Sequence, residues 1–428
     1  MSIKTLRNID ELHAECVVKG IPVDPFWSKT DYVNALRDYY LKEQYGDDVP
    51  RALQLILQMD SPMLCKKFDS VPEKVRKDLM RDRFNYVEEK IDGCRMLMCF
   101  TRNKWGQVVF DAFSRNTSVT DFLPINYGNK IVLNNQIACK KPPFTISNMP
   151  EMIIDCEIVC PDVGVQLQKK SATTQTQLQS TAAILATDTL VARQAQKDHP
   201  FVFKCFDIVY HENYGGWVID KTLELRKEML LDALVALEDQ GFTQFEEVRT
   251  FSLLDEEGKM KIFNRIVREG GEGVVIKNWH STYSTKGNRT NDWVKMKRTM
   301  HAAIGDTIDG FISGFHFGKE GKEREDQIAS LDISAYDEKG NARVIATVAN
   351  LTEQEREDMT VMEYDDCHKP TGYLTLNPAY YGKVVEIDGQ DVSSVNHRLM
   401  HAKIIRWRPD KQAKDCILSE ADLVKYIL

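Results

Sequence analysis

The stretch YVEEKIDGCRMLMCF, residues 86–100, decides how the chain is read. Val87, Ile91, Met96 and Met98 alternate with charged residues as in a half-buried strand, yet Lys90, Asp92, Gly93 and Arg95 break the pattern at its centre. The reading puts Lys90 at a strand end, with Gly93 giving the backbone room to turn. An amine is a poor nucleophile while protonated. Burial beside other positive charge and a metal ion lets it shed that proton and attack phosphorus or a carbonyl carbon. Lys90 is therefore a candidate nucleophile at the mouth of a pocket.

The surrounding composition narrows the field. A chain of 428 residues exceeds the usual size of one domain and predicts two or three, each able to bury a core. Its 43% hydrophobic and 28% charged residues are ordinary for globular proteins. No apolar run approaches the roughly 20 residues that span a bilayer, and MSIKTLRNIDELHAE at the N-terminus lacks the apolar centre of a secretion signal, so a cytoplasmic protein without a membrane partner is expected. Ten cysteines without a CxxC pair argue against a zinc ribbon or a disulfide framework. Cys156, Ile158 and Cys160 alternate in an apolar segment and read as buried packing. A net charge of −8 excludes a uniformly basic surface. Lysines and arginines still gather at 66–83, 295–298 and 403–414, which fits either a phosphate-binding face or solvated element faces.

Along the chain the character changes twice. Residues 1–60 read as a small helical module: ELHAECVVKG (11–20) closes on Gly20, IPVDP is an extended connector, and the helix of residues 28–46 opens with Ser28 as cap and stops at Gly46. This layout resembles small SAP-type DNA-binding modules, and a plain helical bundle fits it equally. Residues 61–300 mix short β-rich segments (MIIDCEIVC, FVFKCFDIVY, EGVVIKNW) with helices such as residues 223–240. Residues 168–196 predict one helix whose apolar face carries Leu178, Ala182, Leu185, Leu190 and Val191. Residues 301–428 hold five strand-like segments (DGFISGFHF, IASLDISAY, ARVIATVAN, YGKVVEIDG, AKIIRW), with the helix TEQEREDM (352–359) between the third and fourth. That pattern suits an OB-type barrel. The fold class is α+β.

KIDGCR (90–95) matches the KxDGxR signature of covalent nucleotidyltransferases, and further segments follow in that superfamily's order. FSRN supplies Ser114, Arg115 and Asn116; IIDCEIV supplies Glu157; FKCFDIVY supplies Phe206 and Asp207; GEGVVIKN supplies Glu272 and Lys277. DWVKMKR gives Lys295 and Lys297, and IIRWRPDK gives Arg406, Arg408 and Lys411. From about Pro62 to Lys411 the chain resembles the ATP-dependent DNA ligases, and SPML (61–64) after a short N-terminal region is similar to the compact bacteriophage enzymes. The resemblance implies a nucleotidyltransferase domain followed by an OB-fold barrel, a hinge near Met300, and three chemical steps. Lys90 takes AMP from ATP, the AMP passes to the 5′-phosphate of a nick in duplex DNA, and the 3′-hydroxyl then displaces it.

The remaining residues acquire expected roles within that scheme. Phe206 offers an aromatic face for adenine, although a core phenylalanine gives the same pattern. Glu88, two residues before Lys90 and on the same strand face, is placed to accept a hydrogen bond from the adenine amino group; a surface acid would look alike. Glu157 and Glu272 are isolated acids in apolar strands, which suits Mg2+ or Mn2+ shared with phosphate oxygens; the resemblance assigns Glu272 mainly to the metal and Glu157 to the ribose or metal. Lys295 and Lys297 alternate on one strand and suit an α-phosphate. Asp92 and Lys277 complete the expected nucleotide-binding set, Arg95 and Arg115 resemble residues that touch ribose or the nick phosphate, and Arg406, Arg408 and Lys411 resemble the segment that orients the pyrophosphate. Met400 departs from the pattern, since related ligases often carry arginine there. Capping-type guanylyltransferases share the plan, and a catalytically inactive nucleic-acid-binding scaffold would keep the fold; both remain as alternatives to a monomeric ligase.

Overall fold

The computed structural model describes residues 7–133, 149–163, 165, 176–297, 307–318, 325–364, 370–389, 391–392 and 397–418. They gather into two compact units, one reaching to Met296 and one beginning at Lys297. The hinge expected near Met300 and the first part of the helix expected over 168–196 lie outside the described residues. Among the described residues no helix is long and apolar enough to cross a membrane.

The first unit opens with α1 (Ile9–Val18), α2 (Lys29–Tyr45) and α3 (Arg51–Ile56). At the start of α2 the Ser28 hydroxyl accepts from the Asp31 amide and the Asp31 carboxylate accepts from the Ser28 amide at 2.7 Å, a reciprocal cap that fixes the first turn. Gly46, at φ +57, ends it. Leu12, Cys16, Tyr32, Val33 and Leu36 of α1 and α2 form a small core that also takes in Phe122. The apolar side of α3, with Leu53, Leu55 and Ile56, packs instead against Leu97, Phe113 and Ile153 of the following sheet.

That sheet and a second one are interleaved in sequence. The strands are β1 (Leu64–Lys67), β2 (Tyr86–Glu89), β3 (Cys94–Arg102), β4 (Val108–Thr117), β5 (Pro124–Asn126), β6 (Met152–Val159), β7 (Val202–His211), β8 (Gly216–Trp217), β9 (Phe245–Glu247), β10 (Thr250–Phe251), β11 (Gly273–Lys277) and β12 (Arg289–Lys297). One sheet runs β5-β4-β3-β6-β7-β8 with β9 alongside β7, and the other runs β1-β12-β11-β2-β10. Alternation sorts the side chains of each onto two faces. Met96, Met98, Phe100, Ile154, Cys156 and Phe203 turn to a core with the helices α5 (Gln177–Ala186), α6 (Thr189–Asp198) and α7 (Leu223–Asp239). In the other sheet Val87, Val274, Ile276, Val294 and Met296 face α4 (Glu73–Arg81) and α8 (Glu256–Arg268). The remaining faces carry Leu97, Ile153, Val275 and Trp293 into one shared cluster, so the two sheets look at each other across it.

The expected single helix over 168–196 is two. Asp188 caps α6 by accepting from the Val191 amide at 3.0 Å, and α5 has already closed at Thr187; of the expected apolar face Leu185 is buried, but Ala182, Leu190 and Val191 are exposed, and Ile184 and Ala192 pack into the core instead.

The second unit contains the five expected strands, β13 (Ile308–Phe317), β14 (Ile328–Tyr336), β15 (Ala342–Val348), β18 (Val384–Asp388) and β21 (Lys403–Trp407), with the expected helix at Glu353–Met359. β19 (Asp391–Val392) and β20 (Leu399–Met400) extend the sheet beyond β15, and β21 edges it beyond β18, giving the order β19-β20-β15-β14-β13-β18-β21 of an OB-type barrel. Two further strands, β16 (Thr360–Tyr364) and β17 (Pro370–Leu376), form a hairpin of their own that the sequence reading passed over. Their apolar residues are few and largely exposed, which weakens the alternation by which a strand is recognised.

Candidate active site

β2 belongs to one sheet and β3 to the other, and the turn of residues 90–93 links them. Gly93 is required there by proximity, not by its torsion: a Cβ would stand 2.5 Å from the Ile158 carbonyl oxygen of β6. The close approach anchors the link, and Lys90 stands at its start, its amide donating to the Gly273 carbonyl at 2.9 Å. Its ammonium group is paired with the Glu272 carboxylate. Asp92 lies in the same turn, half-buried.

Lys90 opens onto a cavity of about 80 Å³ between the sheets. Glu88, Val275, Lys277 and Trp293 line it from one sheet, and Arg95, Glu157 and Phe206 from the other, with Cys65 and Val248 completing the wall. Phe206 stands in the middle of β7 and meets Trp293 edge to face at 6.0 Å. The Lys277 ammonium group lies 3.9 Å from the centre of the Trp293 ring and 4.7 Å from that of Phe206.

Buried charge in this wall is arranged in pairs. Glu88 is held between Lys227 and Lys277, each ammonium nitrogen 2.6 Å from a different carboxylate oxygen. Lys227 also donates to Glu247 at 3.0 Å. Burial lowers the pKa of Lys277, with Glu88 opposing and the neighbouring Lys227 reinforcing the shift. Burial acts on Lys227 in the same sense, but two carboxylates outweigh it and its pKa is raised. Arg95 makes a bidentate pair with Asp155 at 2.9 and 2.6 Å and donates to the Met63 carbonyl at 2.7 Å. Beside it, Arg226 grips Asp207 at 2.8 and 3.0 Å with neither side chain exposed. Tyr283 joins the two pairs, donating to Asp155 at 2.5 Å and lying under Arg226.

Glu157 differs from these acids. Its Oε2 is sealed from solvent and has no hydrogen-bond partner. Burial pushes its pKa up to about 7 against the opposing pull of Arg95 and Lys90. An orphaned, desolvated carboxylate oxygen beside the Lys90–Glu272 pair is suited to a divalent cation. Among the described residues no three His, Cys, Asp or Glu side chains converge. Protein donors would thus be limited to a carboxylate or two, the way Mg2+ is commonly held beside substrate phosphates.

The other predicted residues fall in three places. Lys295 follows Trp293 on the cavity face of β12, with Lys297 two residues further on, while Val294 and Met296 point to the opposite core. Arg115 is exposed on β4, one place beyond the Met96–Ser114 pair and so on the face that carries Arg95. In the second unit Arg406, Arg408 and Lys411 meet acids of the barrel wall. Arg406 donates to Glu386 at 2.6 Å, Arg408 makes a pair with Asp309 at 3.0 Å, and Lys411 also pairs with Asp309. Asp309, Glu386 and Arg406 are directly opposed across β13, β18 and β21. Arg408 and Lys411 border a separate cavity of about 570 Å³ with Tyr380, Lys383 and Trp407.

Sequence reasoning did not single out Asp155, Lys227, Tyr283, Asp309 or Glu386. Asp155 carried a usable signal, since it is two residues before Glu157 on the same strand face. Lys227 carried none, because on a mixed helix it looks like any solvated lysine.

The family model described as the ATP dependent DNA ligase domain matches residues 62–297, the span that holds both sheets and the Lys90 cavity. DNA ligases of Saccharolobus islandicus (strain L.S.2.15 / Lassen #1) and Saccharolobus solfataricus are each 26% identical over 257 residues, which covers 54% of this chain and 41% of theirs. The chain therefore spans about two fifths of the length of these curated relatives. A solved structure of a Lig E DNA ligase, 16% identical, superposes with a TM-score of 0.50 and covers 82% of this chain and 99% of that one. That likeness extends over the two-sheet domain and the barrel and shows a nucleotidyltransferase fold followed by an OB fold. With more than half of its residues matched by one model, and the lysine, the paired acids and the aromatic wall all inside the match, the chain belongs to the ATP-dependent DNA ligase domain family.

Proposed function

We propose that the protein is an ATP-dependent DNA ligase that seals 5′-phosphate/3′-hydroxyl nicks in duplex DNA through a lysine–AMP and a DNA–adenylate. The observation that carries the reading is the Lys90 amine at the mouth of a cavity with an aromatic wall, an acceptor carboxylate and an unpartnered acid. Adenine would lie along Phe206 with its amino group toward Glu88. The Lys90 amine, freed of its proton, attacks the α-phosphorus of ATP; a P–N bond forms, the bond to the β-phosphate oxygen breaks, and pyrophosphate leaves. An oxygen of the nick's 5′-phosphate next displaces Lys90 from the AMP phosphorus. Attack by the 3′-hydroxyl on the 5′-phosphorus then expels AMP.

Glu272 is paired with Lys90 and is the carboxylate positioned to take the proton the amine gives up. Lys295 and Lys297 supply positive charge for the α-phosphate oxygens. Glu157, with Glu272, would hold Mg2+, or Mn2+ in its stead, which supplies neutralisation of phosphate charge when bound. Asp92, Arg95 and Arg115 line the approach for ribose and nick phosphate, and Arg406, Arg408 and Lys411 suit the pyrophosphate leaving group. Residues 1–60 are read as a DNA-gripping module, 61–300 as the adenylation domain and 301–428 as the barrel. The protein is read as a cytoplasmic monomer, in the host cytoplasm if viral.

Incubation with α-labelled ATP and Mg2+ tests this directly. Label should stay on the chain through a denaturing gel and be absent from Lys90→Ala. Labelling by GTP in place of ATP would instead indicate a capping-type enzyme, and no label at all an inactive scaffold.

A further inference from the structure

Lys227 lies on α7, outside every segment that carried the family resemblance, and is almost fully buried. A lysine taken out of water costs several kcal/mol, and an apolar side chain of similar volume is often no worse for stability. Its partners indicate why it stands there. It donates to Glu247 at 3.0 Å and to Thr250 Oγ1 at 3.4 Å, and its ammonium nitrogen stands 2.6 Å from Glu88 Oε1. Lys277 holds the other oxygen, Oε2, at 2.6 Å. The result is a buried cluster of two acids and two ammonium groups in which both oxygens of Glu88 are held from the protein side. Glu88 lines the cavity, next to Phe206 and Trp293.

We propose that Lys227 is a positioning residue that makes Glu88 a reader of the purine 6-position, admitting the 6-amino group of ATP and refusing the 6-oxo group of GTP; this rests on the reading of the cavity as an ATP site. A clamped carboxylate can only accept. A 6-amino group offers it a further donor, a hydrogen offers none, and an oxo group sets two acceptors against each other. Sites built to pair a buried polar group discriminate strongly against ligands that leave it unpaired. With Lys227 gone, Glu88 keeps one ammonium partner and can turn away from the base, so the preference is lost.

The test is self-labelling of the full chain with ATP, GTP and purine riboside triphosphate, which bears hydrogen at the 6-position. Wild type should prefer ATP to the 6-hydrogen nucleotide by about 10- to 100-fold in kcat/KM, and to GTP by more. Lys227→Met should bring all three within about 3-fold of one another, and Lys227→Arg should restore most of the preference. These are ratios on the same folded fraction, so a loss of stability cancels from them. Wild-type preference retained in Lys227→Met, whatever its overall rate, overturns the inference alone. Absence of label on wild type with every nucleotide overturns the ligase reading as well.

Discussion

Glu157 is one residue whose environment sets a pH dependence. Its pKa rises from the ordinary 4.5 to about 7, burial being the main cause. The folded chain therefore keeps a proton that the unfolded chain releases, and stability falls as pH climbs between those values. Glu157→Gln should match wild type below about pH 4.5 and exceed it above about pH 7, by up to about 3 kcal/mol. Urea denaturation across that range measures it, and a difference that does not change with pH would refute the assignment. Arg95 behaves in the opposite way, because its bidentate bond to Asp155 leaves a buried charge stranded when either partner goes. Arg95→Ala should cost about 3–5 kcal/mol, and Asp155→Ala added to it far less than its own single effect. Lys90, Glu88, Glu157 and Phe206, which line the cavity, stood out in the sequence as charged or aromatic residues in an apolar alternation, whereas Lys277 was marked by the family resemblance alone. Lys227 and Tyr283 did not stand out, because what marks them is the cavity-wall carboxylate each meets in space, Glu88 and Asp155, and those lie more than a hundred residues away.

At the level of elements, caps and glycines were read well where the chemistry is local. Ser28 and Gly46 delimit α2 as their side chains and torsion dictate. The break at Thr187 and Asp188 was missed because continuous apolar spacing outweighed a cap residue in its midst. The first three helices also divide differently in packing than in sequence: α1 and α2 share a core with Phe122, whereas α3 is part of the sheet core. A truncation should respect that boundary. Removing residues 1–47 should leave self-adenylation within about 2-fold and weaken binding to nicked duplex if these helices grip DNA, as fluorescence anisotropy can show. Unchanged affinity would leave α1 and α2 a purely structural role. Removing residues 1–60 should also destabilise the sheet, since Leu53, Leu55 and Ile56 are lost from its cover, at about 2 kcal/mol or more for each side chain.

Across the whole molecule, the order of β-rich and helical segments predicted an α+β domain and a barrel, and the expected barrel strands and helix stand where they were expected. What the linear pattern hid is that the cations of the last strand meet their own acids: Arg406 meets Glu386, and Arg408 and Lys411 meet Asp309. These acids sit in apolar strands, as Glu157 does, and were passed over because no motif drew attention to them. If the segment serves only the pyrophosphate step, Arg408→Ala should slow self-adenylation about 100-fold while sealing of a pre-adenylated nick changes little. Single-turnover assays on the two substrates separate the steps, and equal loss in both would assign Arg408 to the DNA instead.

The turn of residues 90–93, pressed by Gly93 onto the Ile158 carbonyl, ties one sheet to the other. Any side chain at position 93 would push that link off β6 and displace the reacting nitrogen from the acids and aromatic rings that the two sheets contribute separately.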